Sequence, residues 1–193
     1  MSSLEIVNKF FEEHKSVIND TQNNLTPKII KASELISKTL KRGKTIFWCG
    51  NGGSASDAQH LAAEFVGRFS INRRSLNSIS LNTDTSVLTC IANDFGYEKI
   101  FSRQLEGLAK SNDLLICLST SGNSQNIIEA IKFSKKNKLK TLSLLGKNGG
   151  KCLNKSDCEI VIPSDNTARI QELHITIGHI LCYLVEKKLK FIK

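Results

Sequence analysis

The sequence predicts an α/β fold in which a parallel sheet is covered by helices on both faces. Three observations carry this. Five short apolar runs, at 45–49, 78–81, 114–119, 141–145 and 159–163, have strand length and composition. Helical patterns lie between them, near 54–68, 84–109 and 124–137, and such alternation is the mark of parallel strands joined by crossovers. The chain has 193 residues, 40% hydrophobic and 23% charged, enough to bury a substantial core in one domain. With only two prolines, no Pro-rich linker divides it, and residues 1–193 are expected to form a single domain.

In chain order, the first forty residues read as two helices. Leu4, Val7, Phe10, Phe11, Val17 and Ile18 roughly follow helical spacing. Thr26-Pro27 reads as an N-cap followed by proline at the first helical position, opening a second helix through Leu40 that Gly43 ends. The strand 45-TIFWC-49 leads through Gly50-Asn51-Gly52-Gly53-Ser54 into the next helix. The remaining strands and helices follow in turn, and about 167–191 forms one long final helix.

In such sheets ligands bind at the carboxyl ends of the strands, so the loops after 49, 81 and 119 are the informative ones. In the first, adjacent Gly52 and Gly53 let backbone N–H groups approach an anion or hydroxyl, and Ser54 is placed to cap the helix with Asp57 three residues on. By itself this is also an ordinary tight turn, since it is neither a Walker A nor a GxGxxG pattern. The third, 118-LSTSGNSQN-126, sets Ser119, Thr120, Ser121 and Ser124 around Gly122 before a helix, more hydroxyls than a cap requires and a seat for a phosphate monoester. Asn93 and Asp94 in 93-NDFG-96 serve either as sugar-hydroxyl partners or as turn formers.

Asp57, His60 and Glu64 share one helix face. His60 and Glu64, at i and i+4, can bind one metal, share a proton-transfer site, or form a plain surface pair. On the last helix Gln171 and His179 lie about 80° apart around the axis and can reach one pocket. His174, about 140° from His179, reads as a core residue, and His14 as a solvated one. Arg68, Arg73 and Arg74 read as surface charge, with Arg68 the best placed to meet a substrate.

The net charge of +9 comes largely from lysines spread along helix faces, as in 135-KKNKLK-140, without interleaved aromatics. It argues against a nucleic-acid partner and for a field that draws in an anionic metabolite. The run 175-ITIGHILCYLV-185 is about half the length of a membrane span. MSSLEIVNKFFEEHK lacks a signal-type apolar region, so a cytoplasmic protein is expected. The six cysteines read as small buried thiols, not disulfides or a thiolate metal site.

Taken together, GNGGS, DAQHLAAEFVGRF, LNTD, ANDFGYEKIFSRQL, LSTSGNSQNI, LLGKNGG and ARIQELHITIGHIL closely resemble the phosphoheptose isomerases of the sugar isomerase (SIS) domain family, in order from about residue 4 to 188. The resemblance implies a flavodoxin-like three-layer sandwich. It also implies a homotetramer, with the segment of about 1–42 packing on the domain and on neighbouring subunits. The activity implied is conversion of D-sedoheptulose 7-phosphate to D-glycero-D-manno-heptose 7-phosphate. Glu64 and His179 match the family's catalytic pair. His60, Glu64, Gln171 and His179 match its zinc ligands, one zinc per subunit, and no nucleotide cofactor is expected. Asn51, Gly52, Gly53, Asn93, Asp94, Ser119, Thr120, Ser121, Ser124 and Gln171 match its substrate contacts, with Ser54 and Glu64 beside them. Ala55-Ser56 stands where some members carry a His-Cys pair.

Moving a carbonyl between C2 and C1 passes through an enediol, which suits a carboxylate base and an imidazole acid. Glu64 is expected to shuttle the carbon-bound proton and His179 to handle oxygen protons or ring opening. In the alternative, zinc polarises the oxygens, and a zinc-bound Glu64 is a poorer base. The rival readings are a non-catalytic relative that binds the bacterial replication initiator, a sugar-phosphate-sensing regulatory domain, and an isomerase of another ketose phosphate. The initiator-binding relatives lack the acid–base pair and carry Thr at the position of Gly53. Regulatory domains come attached to further modules, for which the motifs leave no room in this chain.

Overall fold

The structure, a computed structural model, describes residues 1–192. Its strands are β1 (Ile46–Cys49), β2 (Ser78–Ser80), β3 (Leu114–Ser119), β4 (Lys140–Leu145) and β5 (Cys158–Val161). The helices are α1 (Ser3–Lys41), α2 (Gly53–Val66), α3 (Thr85–Phe95), α4 (Ser102–Leu108), α5 (Gln125–Lys136) and α6 (Thr167–Lys188). The strands form one five-stranded sheet in the order β2-β1-β3-β4-β5. Every pairing is parallel, which is the flavodoxin-like order the resemblance implies.

Side-chain alternation along β1 divides the core in two. Ile46 and Trp48 join the apolar cluster that packs α1, α2 and α6 on one face. Phe47 and Cys49 join the cluster under α3, α4 and α5 on the other. Trp48 is fully buried, and its indole N–H is satisfied by the Ser78 hydroxyl at 2.8 Å. From β1 the chain runs outward to β2 and then crosses back to β3, which pairs with the other side of β1. That reversal makes the carboxyl ends of β1 and β3 the switch point, where a crevice opens between adjacent loops.

Three elements depart from the sequence expectation. The two expected N-terminal helices are one helix of 39 residues, with Pro27 inside it. Thr26 does not cap a new helix; its hydroxyl donates back to the Gln22 carbonyl at 2.6 Å. An interior proline costs about 3 kcal/mol. On either side of it, Leu25, Ile29, Ala32, Ile36 and Leu40 are buried, at roughly 1.5–3 kcal/mol for each large side chain, so packing outweighs the break. The expected helical segment 84–109 is divided instead, because Gly96 (φ 91°) ends α3 and a 3₁₀ turn at Tyr97–Lys99 precedes α4. Among the cysteines, Cys90 is exposed, while Cys49, Cys117, Cys152, Cys158 and Cys182 are buried and free. Burial pushes the Cys152 thiol up to about 12.

His174 is a core residue, fully buried, with Nε2 3.0 Å from the Leu145 carbonyl. Burial pushes its pKa down from 6.5 to about 4, against that carbonyl contact. The unfolded chain therefore binds the extra proton first as pH falls through that window. Stability is complete above it and declines across it by about 3 kcal/mol. Thermal melts from pH 7 to 4 should show a falling Tm in the parent, and His174→Gln should flatten that slope while lowering Tm at neutral pH.

Candidate active site

The first loop is held by side chains from three other segments. Asn82, in the loop after β2, pairs with both backbone groups of Gly50, at 3.1 and 2.9 Å. Asn51 and Asn126 exchange reciprocal amide hydrogen bonds at 2.9 Å, and the Tyr97 hydroxyl donates to Asn51 Oδ1 at 3.0 Å. The Asn51 side chain thus latches the loop to α5, leaving one amide N–H for a ligand. Gly52 (φ 56°) is the N-cap of α2, and no side chain caps that end. Ser54 lies buried in the first turn, so the expected Ser54 cap does not form: the chain enters the helix two residues earlier.

The loop after β3 is built from local hydroxyl turns. Ser119 Oγ accepts from the Gly122 N–H and Ser121 Oγ from the Asn123 N–H, both at 3.1 Å. Ser124 is the N-cap residue of α5 but makes no capping bond. The segment after β4 braces this loop, with Cys152 N–H donating to the Gly122 carbonyl at 2.9 Å and Lys151 N–H to Asn123 Oδ1 at 3.0 Å. Thr120 is half-buried beside them. Asn93 and Asp94 are exposed in the last turn of α3; Asn93 Nδ2 donates to Asp94 Oδ1 at 2.8 Å, and no hydrogen bond joins them to the other loops among the described residues.

His60, Glu64 and His179 come together from α2 and α6, their ligand atoms within 4.8 Å of one another. His60 Nε2 lies 3.1 Å from Glu64 Oε1. The His179 ring is edge-on to His60, centroids 5.1 Å apart, and stacked on Phe69 at 5.4 Å and 27°. Gln171 sits at the first loop, where a Cβ on Gly53 would come within 2.7 Å of its Nε2. Asp57, a further turn back on α2, is half-buried with Oδ2 unpartnered, and burial raises its pKa despite nearby His60.

The donor set accommodates a metal. His179 Nε2 is buried without a hydrogen-bond partner, and ligand atoms of two imidazoles and a carboxylate lie within 4.8 Å of one another, a donor set of zinc type.

Two basic residues change roles. Arg68 is exposed, whereas the Arg73 side chain is 3% exposed and pairs with Glu186, itself 1% exposed, at 2.9 Å. Burial pushes the Glu186 carboxyl up, but bonds from Ser70, the Phe69 and Ser70 N–H groups and Arg73 outweigh it and hold it below the usual carboxylate range. His14 is half-buried rather than solvated, with Nδ1 2.6 Å from Glu172 Oε2. Sequence reasoning assigned no role to Phe69, Asn82, Tyr97, Asn126 or Glu186; the first four fall within the distinctive segments DAQHLAAEFVGRF, LNTD, ANDFGYEKIFSRQL and LSTSGNSQNI, and only Glu186 lies outside them.

A flavodoxin-like sheet with a hydroxyl-rich loop at its switch point and an acid–imidazole cluster between α2 and α6 defines a sugar-phosphate-handling α/β domain, and residues 9–146 match the family model for the SIS domain. A phosphoheptose isomerase of Nitratiruptor sp. is 50% identical over 184 residues, covering 95% of this chain and 98% of that protein. The solved phosphoheptose isomerase of Francisella tularensis matches with a TM-score of 0.94 at 34% identity, covering 97% of this chain and 100% of that one. That of Neisseria gonorrhoeae matches at 0.90 and 37%, covering 96% and 100%. The chain belongs to the phosphoheptose isomerases of the SIS domain family.

Proposed function

We propose that the protein converts D-sedoheptulose 7-phosphate to D-glycero-D-manno-heptose 7-phosphate, the first step toward heptose for bacterial surface polysaccharide. The observation that supports this best is the meeting of Glu64 and His179 within one chain, with their ligand atoms less than 4.8 Å apart. The phosphate sits in the Ser119–Ser124 loop, where Ser119, Thr120, Ser121 and Ser124 and the N-terminus of α5 receive it. Asn51, Gly52, Gly53 and Ser54 line the other side of the crevice, and Asn93 and Asp94 take sugar hydroxyls.

Glu64 removes the proton next to the carbonyl and returns it to the neighbouring carbon. His179 moves protons between the two oxygens, and each role is worth about 10²–10⁴-fold. His60, Glu64 and His179 would hold zinc, with the Gln171 amide oxygen as the remaining donor. When bound, zinc supplies Lewis-acid polarisation of the sugar oxygens. Because base and ligand roles draw on one carboxylate, metal content and turnover should be titrated on the same sample.

The single domain works in the cytoplasm as a homotetramer. Support for assembly comes from the exposed Leu4, Ile6, Val7, Phe10 and Phe11 along the first turns of α1. No helix among the described residues is long and apolar enough to cross a membrane.

Incubation with sedoheptulose 7-phosphate should yield an aldose phosphate; a protein that leaves the ketose unchanged sinks this reading in favour of a binding role. Gly53 offers a second check. A threonine there, as in the initiator-binding relatives, would push its Cβ into the Gln171 amide, 2.7 Å away. Gly53→Thr should lower kcat/KM by roughly 10- to 100-fold with little change in Tm, as expected for a displaced contact.

A further inference from the structure

We infer that the buried Arg73–Glu186 pair is a positioning device for the acid–base couple, acting on Glu64 through the end of α2 and on His179 through Phe69. The functional meaning rests on the isomerase reading above. His179 and Glu186 are seven residues apart, two turns along one face of α6, and both face the segment that leaves α2. The Glu186 carboxylate accepts four hydrogen bonds from that segment: Phe69 N–H at 3.1 Å, Ser70 N–H at 3.1 Å, Ser70 Oγ at 2.7 Å and Arg73 Nε at 2.9 Å.

The rest of the Arg73 guanidinium caps the last turn of α2. Its NH2 donates to the Glu64 carbonyl at 2.8 Å and its NH1 to the Phe65 carbonyl at 2.9 Å. The helix turn that aims the Glu64 carboxylate is therefore tied to Glu186. So is the backbone of Phe69, whose ring forms one wall of the His179 slot, with His60 forming the other.

Helix-end capping alone does not call for this arrangement. Exposed lysines or water satisfy most helix C-termini, and a buried ion pair is often no more stabilising than apolar side chains of the same volume. What it adds is a fixed geometry for two groups that belong to different helices. Neither Arg73 nor Glu186 contacts a reacting atom in this arrangement, so their effect passes through Glu64 and Phe69.

The test compares Glu186→Gln, Phe69→Leu and Phe69→Tyr with the parent. Readouts are kcat and KM for sedoheptulose 7-phosphate, Tm, and the His179 signal in protein labelled with ¹³Cε1-histidine. Phe69→Leu leaves the ion pair intact but removes the flat wall; kcat should fall about tenfold with KM within about twofold, and the His179 resonance should shift and broaden. Phe69→Tyr keeps the ring face and should restore both. Glu186→Gln should lower kcat by about 30-fold or more, again with KM little changed.

A kcat within twofold of the parent in both Phe69→Leu and Glu186→Gln, with only Tm lowered, overturns the inference and leaves the pair a structural cap. If Glu186→Gln does not fold, Phe69→Leu decides alone. If the parent shows no turnover, the isomerase reading fails, and the histidine signal judges positioning by itself: an unchanged resonance in Phe69→Leu overturns it.

Discussion

Glu64→Gln is expected to lower kcat by about a thousandfold or more while sugar-phosphate binding persists. The change keeps shape while removing the negative charge, and with it the capacity to take a proton and to ligate a metal as a carboxylate. The amide oxygen still meets His60 Nε2, which lies 3.1 Å from Oε1 in the parent. The helix turn stays anchored, because Arg73 binds the Glu64 backbone carbonyl, not its side chain. The phosphate loop belongs to β3 and α5 and is untouched. Loss of a positioned general base alone accounts for about 10²–10⁴ in rate. Steady-state kinetics together with calorimetric binding of the product provide the check. Near-parental turnover would assign proton abstraction to another group.

Gly122→Ala is expected to damage binding and folding together, raising KM at least about tenfold and costing about 2–4 kcal/mol of stability. Gly122 has φ 63°, and a Cβ there would come within 2.0 Å of the Gly149 carbonyl oxygen. That obstacle is backbone and has no side-chain rotamer to escape into. It is also held from its own side, since a Cβ on Gly150 would meet the Ser121 carbonyl at 2.4 Å and Cys152 N–H bonds the Gly122 carbonyl at 2.9 Å. The two loops interlock through glycines, so relief of the clash must move the Ser119–Ser124 loop itself. Thermal melts and KM measured on one preparation test this. A variant with parental KM places the phosphate outside that loop.

Features encoded by neighbours in sequence were legible. The five strands lie close to the expected apolar runs, because a strand buried on both faces is marked by its own composition. The glycine and serine loops stand out for the same reason, and His60 and Glu64 share a face by helical spacing alone. Local rules failed where packing decided. Pro27 signals a helix start, yet the buried residues beyond it keep α1 continuous. Ser54 has the cap residue type, but the glycines carry the chain into the helix first. Arg73 looked like surface charge because its partner Glu186 lies 113 residues away, and Tyr97 reaches Asn51 across 46. No periodicity or motif encodes such pairs; only the closing of α6 against α2 and the crossover from β1 to β3 create them.

At 39 residues, α1 is about 58 Å long, longer than the sheet it crosses, so its first turns overhang the body. The overhang is not a free end. The Phe10 carbonyl takes a hydrogen bond from Arg169 at 2.7 Å, and His14 meets Glu172, the residue next to Gln171. The N-terminal third of α1 is thus pinned to the first turns of α6, the same turns that present the Gln171 amide to Gly53.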